Sequence, residues 1–293
     1  MEYNVLCAIA NIMDFRNVDL NLYKSKSDIR IVQVGEGLEG FIRDALTGSF
    51  GASLENKIKK HRDGLSWQGS QNNPPDITVW ERYGGDAFEV KKVGTPYVGL
   101  ELNSSYPRDF IYRCLPDGSE DKMVSGGCRR AEKWDKKDMF YVVGYVKDQR
   151  IKCLTITHGP CYAAPRETYN RFPTAVRSAL KANKQEGIVF SETRELGRIN
   201  GVDPLRITDL RVRGMWMIKN PLVVFKDKLS YNKTSNDFNI FALIKREKYD
   251  DFPSSCRTKI ERHKLLEVVK NVRITDPDNI SKELNAVLIK GKW

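Results

Sequence analysis

Apolar residues recur at three- and four-residue spacing in two stretches near the start of the chain. Over residues 1–15, MEYNVLCAIANIMDF, apolar and small residues alternate with helical spacing and predict a first helix. A polar segment over 17–30 separates it from a better-marked one, 35–46, GEGLEGFIRDAL. There Leu38, Phe41, Ile42, Ala45 and Leu46 form one face, Glu36 and Glu39 lie on another side, and Thr47-Gly48 supplies a stop. A polar, Gly-rich and basic stretch from 48 to 75 reads as loop.

Beyond it the pattern changes to short runs of strand character. Residues 77–82 and 87–93 flank Tyr83-Gly84-Gly85-Asp86, whose central glycines suit a tight hairpin turn, and 97–103 is a third strand. Residues 126–138 read as a basic amphipathic helix containing Ala131 and Trp134. Residues 139–146, MFYVVGYV, form a β-prone strand that pairs with 151–157. The order helix, three strands, helix, strand predicts a mixed sheet with helices on both sides and the hairpin at its centre. Further on, 174–183 reads as helix, 206–213 and 221–225 as strands, and 226–239 as a polar linker. Residues 256–272 and 281–288 read as amphipathic helices, the first carrying Ile260, Leu265, Leu266, Val268 and Val269. The chain thus divides into a core over 1–225 and a basic, helical extension over 226–293, packed on that core or in a dimer interface. No internal repeat or low-complexity tract is present.

Charge narrows the classes of function. The 293 residues carry 49 Lys and Arg against 38 Asp and Glu, a formal net charge of +11, which favours a polyanionic partner. Nucleic acid leads and an anionic membrane surface follows. The N-terminal stretch lacks the basic region of a signal peptide, and no apolar run approaches the length that crosses a bilayer. The six cysteines form no CxxC pair, so neither a zinc site nor a disulfide framework is expected, and a reducing cytoplasm fits. His61, His158 and His263 are far apart and offer no His-rich metal centre.

The chemistry-bearing stretch is PPDITVWERYGGDAFEVKK, residues 74–92. Strand alternation sends Phe88 and Val90 to one face and Glu89 and Lys91 to the other. A symmetric register about Gly84-Gly85 sets Glu89 opposite Trp80 and Lys91 opposite Thr78, which puts Asp76 on the same face as both. The same register sets Asp76 opposite Val93, and at roughly 3.3 Å per residue this is too far from Glu89 for a shared metal. Sharing then requires a bulge or splayed strands at Pro74-Pro75, where proline donates nothing to the ladder. Two carboxylates are hard oxygen ligands suited to Mg²⁺, and a lysine beside them can orient or deprotonate the attacking water and offset charge on the pentavalent phosphate. Taken alone, the same residues are a charged, solvated hairpin face. Their place on adjacent strands, the order of elements and the basic charge favour phosphodiester hydrolysis.

With these residues in place, the sequence resembles the PD-(D/E)XK nuclease superfamily, through Pro75-Asp76 and Glu89-Val90-Lys91. It resembles more closely the NgoPII-type family of type II restriction endonucleases, which recognises GGCC. The resembling blocks are GEGLEGFIRDALTGSF (35–50), NNPPD (72–76), GDAFEVKK (85–92), LNSSYP (102–107), AEKWDKKDMFYVVG (131–144), SETRELGRINGVDPL (191–205) and LRVRGMWMIKNP (210–221). They extend from about 35 to 225, and the region from 226 onward belongs to none of these blocks, so its role stays open. The resemblance implies an α/β fold with a PD-(D/E)XK restriction-endonuclease-like core (αβββαβ), a mixed central sheet flanked by helices, and helical additions. It also implies Asp76 and Glu89 as Mg²⁺ ligands, Lys91 as the catalytic lysine, and Glu39 as an acid on the first core helix, with Glu36 its rival. Glu101, in the third strand, reads as a supporting acid or as structural.

A GGCC-type palindrome requires guanine readers, and the arginine fork matches guanine O6 and N7. Arg206, Arg211 and Arg213 in RITDLRVRG are the first candidates, as base or phosphate contacts. Asn103, Ser104 and Ser105 after the third strand read as DNA contacts or as a solvated turn, and Arg194, Arg198 and Asn200 are further candidates. A palindrome is naturally read by a two-fold symmetric protein, so a homodimer on double-stranded DNA is expected. A repair or recombination nuclease, or a non-catalytic DNA-binding protein, are the alternatives.

Overall fold

The structure, a computed structural model, describes residues 2–23, 33–69, 73–102, 105–182, 189–191, 196–234 and 237–293, without the side chains of 33–36, 181 and 189–191. Helix α1 (Val5–Phe15) starts where the Asn4 side chain accepts from the Cys7 N–H (3.0 Å) and ends at Arg16, which takes a left-handed conformation. Its buried residues Val5, Leu6, Ile9, Ile12 and Met13 follow the helical period. Helix α2 (Gln33–Thr47) buries Leu38, Phe41, Ile42, Ala45 and Leu46, the face expected from their spacing, and α3 (Leu54–Gly64) follows.

The chain then builds β1 (Leu65–Gln68), β2 (Ile77–Val79) and β3 (Ala87–Val93), an antiparallel meander. After β4 (Leu100–Glu101), β5 (Phe110–Tyr112) and α4 (Gly126–Ala131), strand β6 (Lys136–Lys147) returns parallel to β3, and β7 (Arg150–His158) pairs antiparallel with β6. The order of helix, three strands, helix and strand is present with a different first member, but the β2–β3 hairpin, expected at the sheet's centre, lies toward one edge because the C-terminal strands extend the sheet on the far side. The stretch 48–75, expected as loop, holds helix α3, capped by the Ser53 side chain, and the edge strand β1. The expected third strand, 97–103, contributes only β4, which lies outside the central sheet. The helix expected over 126–138 stops at Ala131, because Lys136–Asp138 already belongs to β6, where they pair with β5.

Past β7 come α5 (Arg166–Ala182), β8 (Val189–Ser191), β9 (Gly197–Asn200), β10 (Leu210–Val212) and β11 (Met217–Ile218). Strands β8, β9 and β10 form a small antiparallel sheet, and β11 pairs with β4. The strand expected over 221–225 is instead α6 (Pro221–Val224): the Asn220 side chain accepts from the Leu222 N–H (3.0 Å), and Pro221 sits at the first helical position. The closing region holds α7 (Lys226–Leu229), β12 (Asn239–Lys245), α8 (Arg246–Asp251), α9 (Ser254–Glu261), β13 (Leu266–Asp276) and β14 (Asn279–Lys292).

Both expected C-terminal helices are overturned here. Only 254–261 is helical, and the rest is a long hairpin whose β14 lies between β12 and β13 in the central sheet, ordered β1-β2-β3-β6-β7-β12-β14-β13. Val287 and Ile289 face one core and Ala286 and Leu288 the other, so the apolar run is a strand buried on both faces. The sheet separates these two cores. Phe88, Val90, Phe140 and Val142 meet α1 and α2 on one side, while Ala87, Met139, Tyr141 and Val143 meet Trp134, Leu100 and Phe225 on the other. No helix among the described residues is long and apolar enough to cross a membrane.

Candidate active site

Register places the hairpin carboxylates. Ile77 pairs with Phe88 and Thr78 with Ala87, and Asp76 follows just past the last of these pairs, close enough to Glu89 to feel its charge. The Asp76 N–H donates to the Phe88 carbonyl (2.9 Å), and the Val90 N–H donates to Asp76 Oδ2 (2.7 Å). The symmetric two-residue turn expected at Gly84-Gly85 does not form. Glu81–Tyr83 make a 3₁₀ turn, and the Tyr83 and Gly85 N–H groups both donate to the Trp80 carbonyl. Gly84 and Gly85 take φ of 104° and 64°, and a Cβ on Gly85 would lie 2.4 Å from Glu81 Oε1. This wider loop shifts the register toward Asp76, and past Ile77 the ladder is irregular at the Pro75 end, as expected: the Asp76 N–H reaches the carbonyl of Phe88, which already faces Ile77. Gly69 completes the wall: its N–H donates to the Asp76 carbonyl (2.5 Å), and a Cβ there would lie 2.8 Å from Asp76 Cα.

Lys91, two residues beyond Glu89, shares the same face, and its Nζ lies 2.6 Å from Glu89 Oε1. The second oxygen, Glu89 Oε2, is buried and has no hydrogen-bond partner. Burial pushes the Asp76 carboxyl well above the usual carboxylate range, Glu89 and Glu39 push it further, and Lys91 and the Val90 N–H act the other way. Burial works against the Lys91 ammonium, but Glu89, Asp76 and Glu39 outweigh it and hold its pKa above the ordinary lysine value. Glu39 on α2 is thus within electrostatic reach of the cluster, and its carboxylate also sits 3.9 Å from Arg43. The side chain of Glu36 lies outside the described residues. Glu101 is exposed on β4, opposite Met217.

Two carboxylates forced together, one with an orphaned oxygen, fit a hard divalent cation, which would satisfy Oε2 and relieve the repulsion. Among the described residues no group of three or more His, Cys, Asp and Glu side chains is arranged to hold a metal. A two-carboxylate set suits an ion that keeps water and phosphate oxygens as its other ligands.

The DNA-contact candidates divide into three groups. Arg211 stands opposite Arg198 in the β9–β10 pairing; alternation places Asn200, Asp209 and Arg213 on that same face. Residues expected as separate candidates thus converge on one side of the small sheet. Arg198 is paired with Asp209 (2.5 Å), and Arg211 and Arg213 are exposed and have partners of their own. Arg206 lies apart at the tip of the β9–β10 hairpin, exposed and left-handed, in a loop that Asp203 ties through Leu205 and Thr208. Ser105 is buried rather than on a solvated turn, and its Oγ accepts from Arg108 Nε (3.3 Å). Asn103, Ser104 and Arg194 lie outside the described residues.

Arg108, which no sequence pattern marks, lines a narrow pocket with Pro74, Glu89, Ser105 and Tyr141. In the β3–β6 pairing Glu89 stands beside Tyr141, whose hydroxyl accepts from the Arg108 N–H (2.6 Å) and donates to its carbonyl (3.1 Å). A lone arginine after Tyr-Pro in a loop carries no signal of such a position.

Comparison with known proteins follows the same line. Residues 3–277 match the family described as NgoPII restriction endonuclease. The chain is 35% identical over 288 residues, 98% of its own length and 98% of the relative's, to the type II restriction enzyme NgoPII of Neisseria gonorrhoeae. The match therefore runs past residue 225 into the closing hairpin, which the quoted blocks did not reach. No solved structure matches the chain.

Proposed function

The chain belongs to the NgoPII restriction endonuclease family, as a type II restriction endonuclease acting on DNA, and from that premise we propose its target and cofactor. The protein cuts both strands of double-stranded DNA at a short G/C-rich palindrome, GGCC or a near relative, with Mg²⁺ held by Asp76 and Glu89. The observation that carries this reading is the closeness of Asp76 to Glu89, with Lys91 paired to Glu89 on the same face.

When bound, the cation polarises the scissile phosphate and makes water a better nucleophile at neutral pH. Asp76, oriented by the Val90 N–H, and Glu89, through its free Oε2, supply its protein ligands. Lys91 is held protonated by its acidic neighbours, so its part is to orient water and offset the negative charge that builds on phosphorus. Glu39 adds negative potential from α2. The shared face of Arg198, Asn200, Arg211 and Arg213 offers the forked donors that guanine reading needs. Two copies related by a two-fold axis match a palindrome, one cutting each strand.

Incubating the protein with plasmid DNA in Mg²⁺ and in EDTA tests this. Discrete fragments sharing one terminal sequence, formed in Mg²⁺ only, are expected. A smear would point to a non-specific nuclease, and intact DNA under both conditions would sink the reading. Lys91→Ala is expected to lower cleavage by more than about 100-fold while leaving duplex binding in Ca²⁺ intact. Turnover retained in that variant would mean the lysine is misassigned.

A further inference from the structure

Arg108 is 3% exposed, and almost every part of it is fixed. Nη1 donates to Asp121 Oδ2 (2.7 Å), Nε donates to Ser105 Oγ (3.3 Å), and the guanidinium lies over the Tyr106 ring at 5.0 Å. Its backbone is clamped on both sides by the Tyr141 hydroxyl. Nη2 is the exception: it is buried and has no hydrogen-bond partner. A buried guanidinium N–H left unpaired costs stability; what sets Arg108 apart from other arginines with a buried unpaired nitrogen, such as Arg113 and Arg129, is the pocket it faces.

The pocket that Arg108 lines is also lined by Glu89, whose Oε2 is likewise buried without a hydrogen-bond partner. A buried cationic donor and a buried anionic acceptor, both unsatisfied in one pocket, are what a phosphate with its cation would satisfy together. Phosphate oxygen would take the arginine N–H, and the cation would take the carboxylate. We propose that Arg108 is a further catalytic residue, whose Nη2 donates to a non-bridging oxygen of the scissile phosphate held at Glu89. This rests on the assignment of Glu89 to the nuclease site. Arg108 takes no proton and forms no bond. It supplies a fixed positive donor where negative charge grows as water adds to phosphorus and the ester oxygen leaves. Its fork allows this double duty, because one arm can hold Asp121 while the other reaches phosphate, which a lysine cannot do.

The test combines Arg108→Lys, which keeps a charge beside Asp121, with duplexes carrying a single phosphorothioate diastereomer at the scissile phosphate. The variant is expected to keep its melting temperature and its duplex binding in Ca²⁺, with single-turnover cleavage in Mg²⁺ reduced by about 100-fold or more. Wild-type cleavage should be slowed by sulfur at one non-bridging position, and Arg108→Lys should show no further slowing at that position. If the lysine variant does not fold, Arg108→Met with Asp121→Leu removes both buried charges together, and the same two readouts apply. Cleavage by either variant at the wild-type rate would overturn the proposal. So would slowing by sulfur of equal size in wild type and variant, since a structural arginine would behave in that way. A wild-type protein that leaves DNA intact would instead remove the nuclease-site reading, and the role of Arg108 with it.

Discussion

Asp44 accepts hydrogen bonds from Tyr23, Ser49 and His61 and pairs with Lys57, whereas Asp76 takes the Val90 N–H and faces another carboxylate. Burial would raise the pKa of Asp44, but His61, Lys57, Ser49 and Tyr23 outweigh it and bring it down to about 2. Its folded pKa lies below the unfolded one, so its contribution to stability is complete above about pH 4 and is lost as pH falls toward about 2. That contribution is about 2 kcal/mol. Urea denaturation should find Asp44→Asn less stable by about that amount at pH 7 and flatter between about pH 4 and pH 2. An acid limb unchanged from wild type would show that the network does not depend on the charge. Asp76 has the opposite sign: its folded pKa is raised, so the ionised form opposes folding once pH exceeds the unfolded value. Asp76→Asn is therefore expected to melt higher than wild type in EDTA at pH 7. Ca²⁺ should raise the melting temperature of wild type and leave the variant unmoved. A variant that still responds to Ca²⁺ would place the ion elsewhere.

Among the elements, the hairpin separates what alternation dictates from what a turn decides. Face-sharing by Asp76, Glu89 and Lys91 follows from period two in any register of the same parity, and it was legible in the residues. The closeness of Asp76 to Glu89 was not, because it depends on how many residues Trp80–Gly85 spend in the loop. The arginine candidates behave likewise: Arg211 and Arg213 share a face by alternation, while Arg198 and Asn200 join them only through the pairing of β9 with β10. The C-terminal stretch misleads for another reason. Val268, Val269 and Val272 are spaced as on a helix, yet β-branched residues favour strands, and β14 finds its partners in β12, far back along the chain. Since β12 and β14 carry the sheet outward from β7, truncation after Phe225 would strip apolar partners from both cores. Circular dichroism and soluble yield should show that the 1–225 fragment does not fold. A cooperative, soluble fragment would establish the closing region as a separable extension.

For the whole molecule, the net charge of +11 acts at long range on a polyanion and at no single position. Duplex binding in Ca²⁺ should weaken linearly in log–log plots against salt, with a slope near −0.9 per phosphate neutralised. Sedimentation should find two chains on one palindromic duplex. A salt-independent affinity, or one chain per cleaved duplex, would contradict this picture of a basic two-fold complex.

Composition and local spacing alone account for the basic charge that favours a polyanion, the first two helices and the common face of Asp76, Glu89 and Lys91. These rest on composition and local period, which are properties of neighbouring residues. The folded chain alone brings Asp76 near Glu89, makes β14 an inner strand of the sheet, and sets Arg108 in the pocket beside Glu89. Each of these depends on loop closure or on pairing between distant segments, where burial and hydrogen bonding across the fold override local spacing.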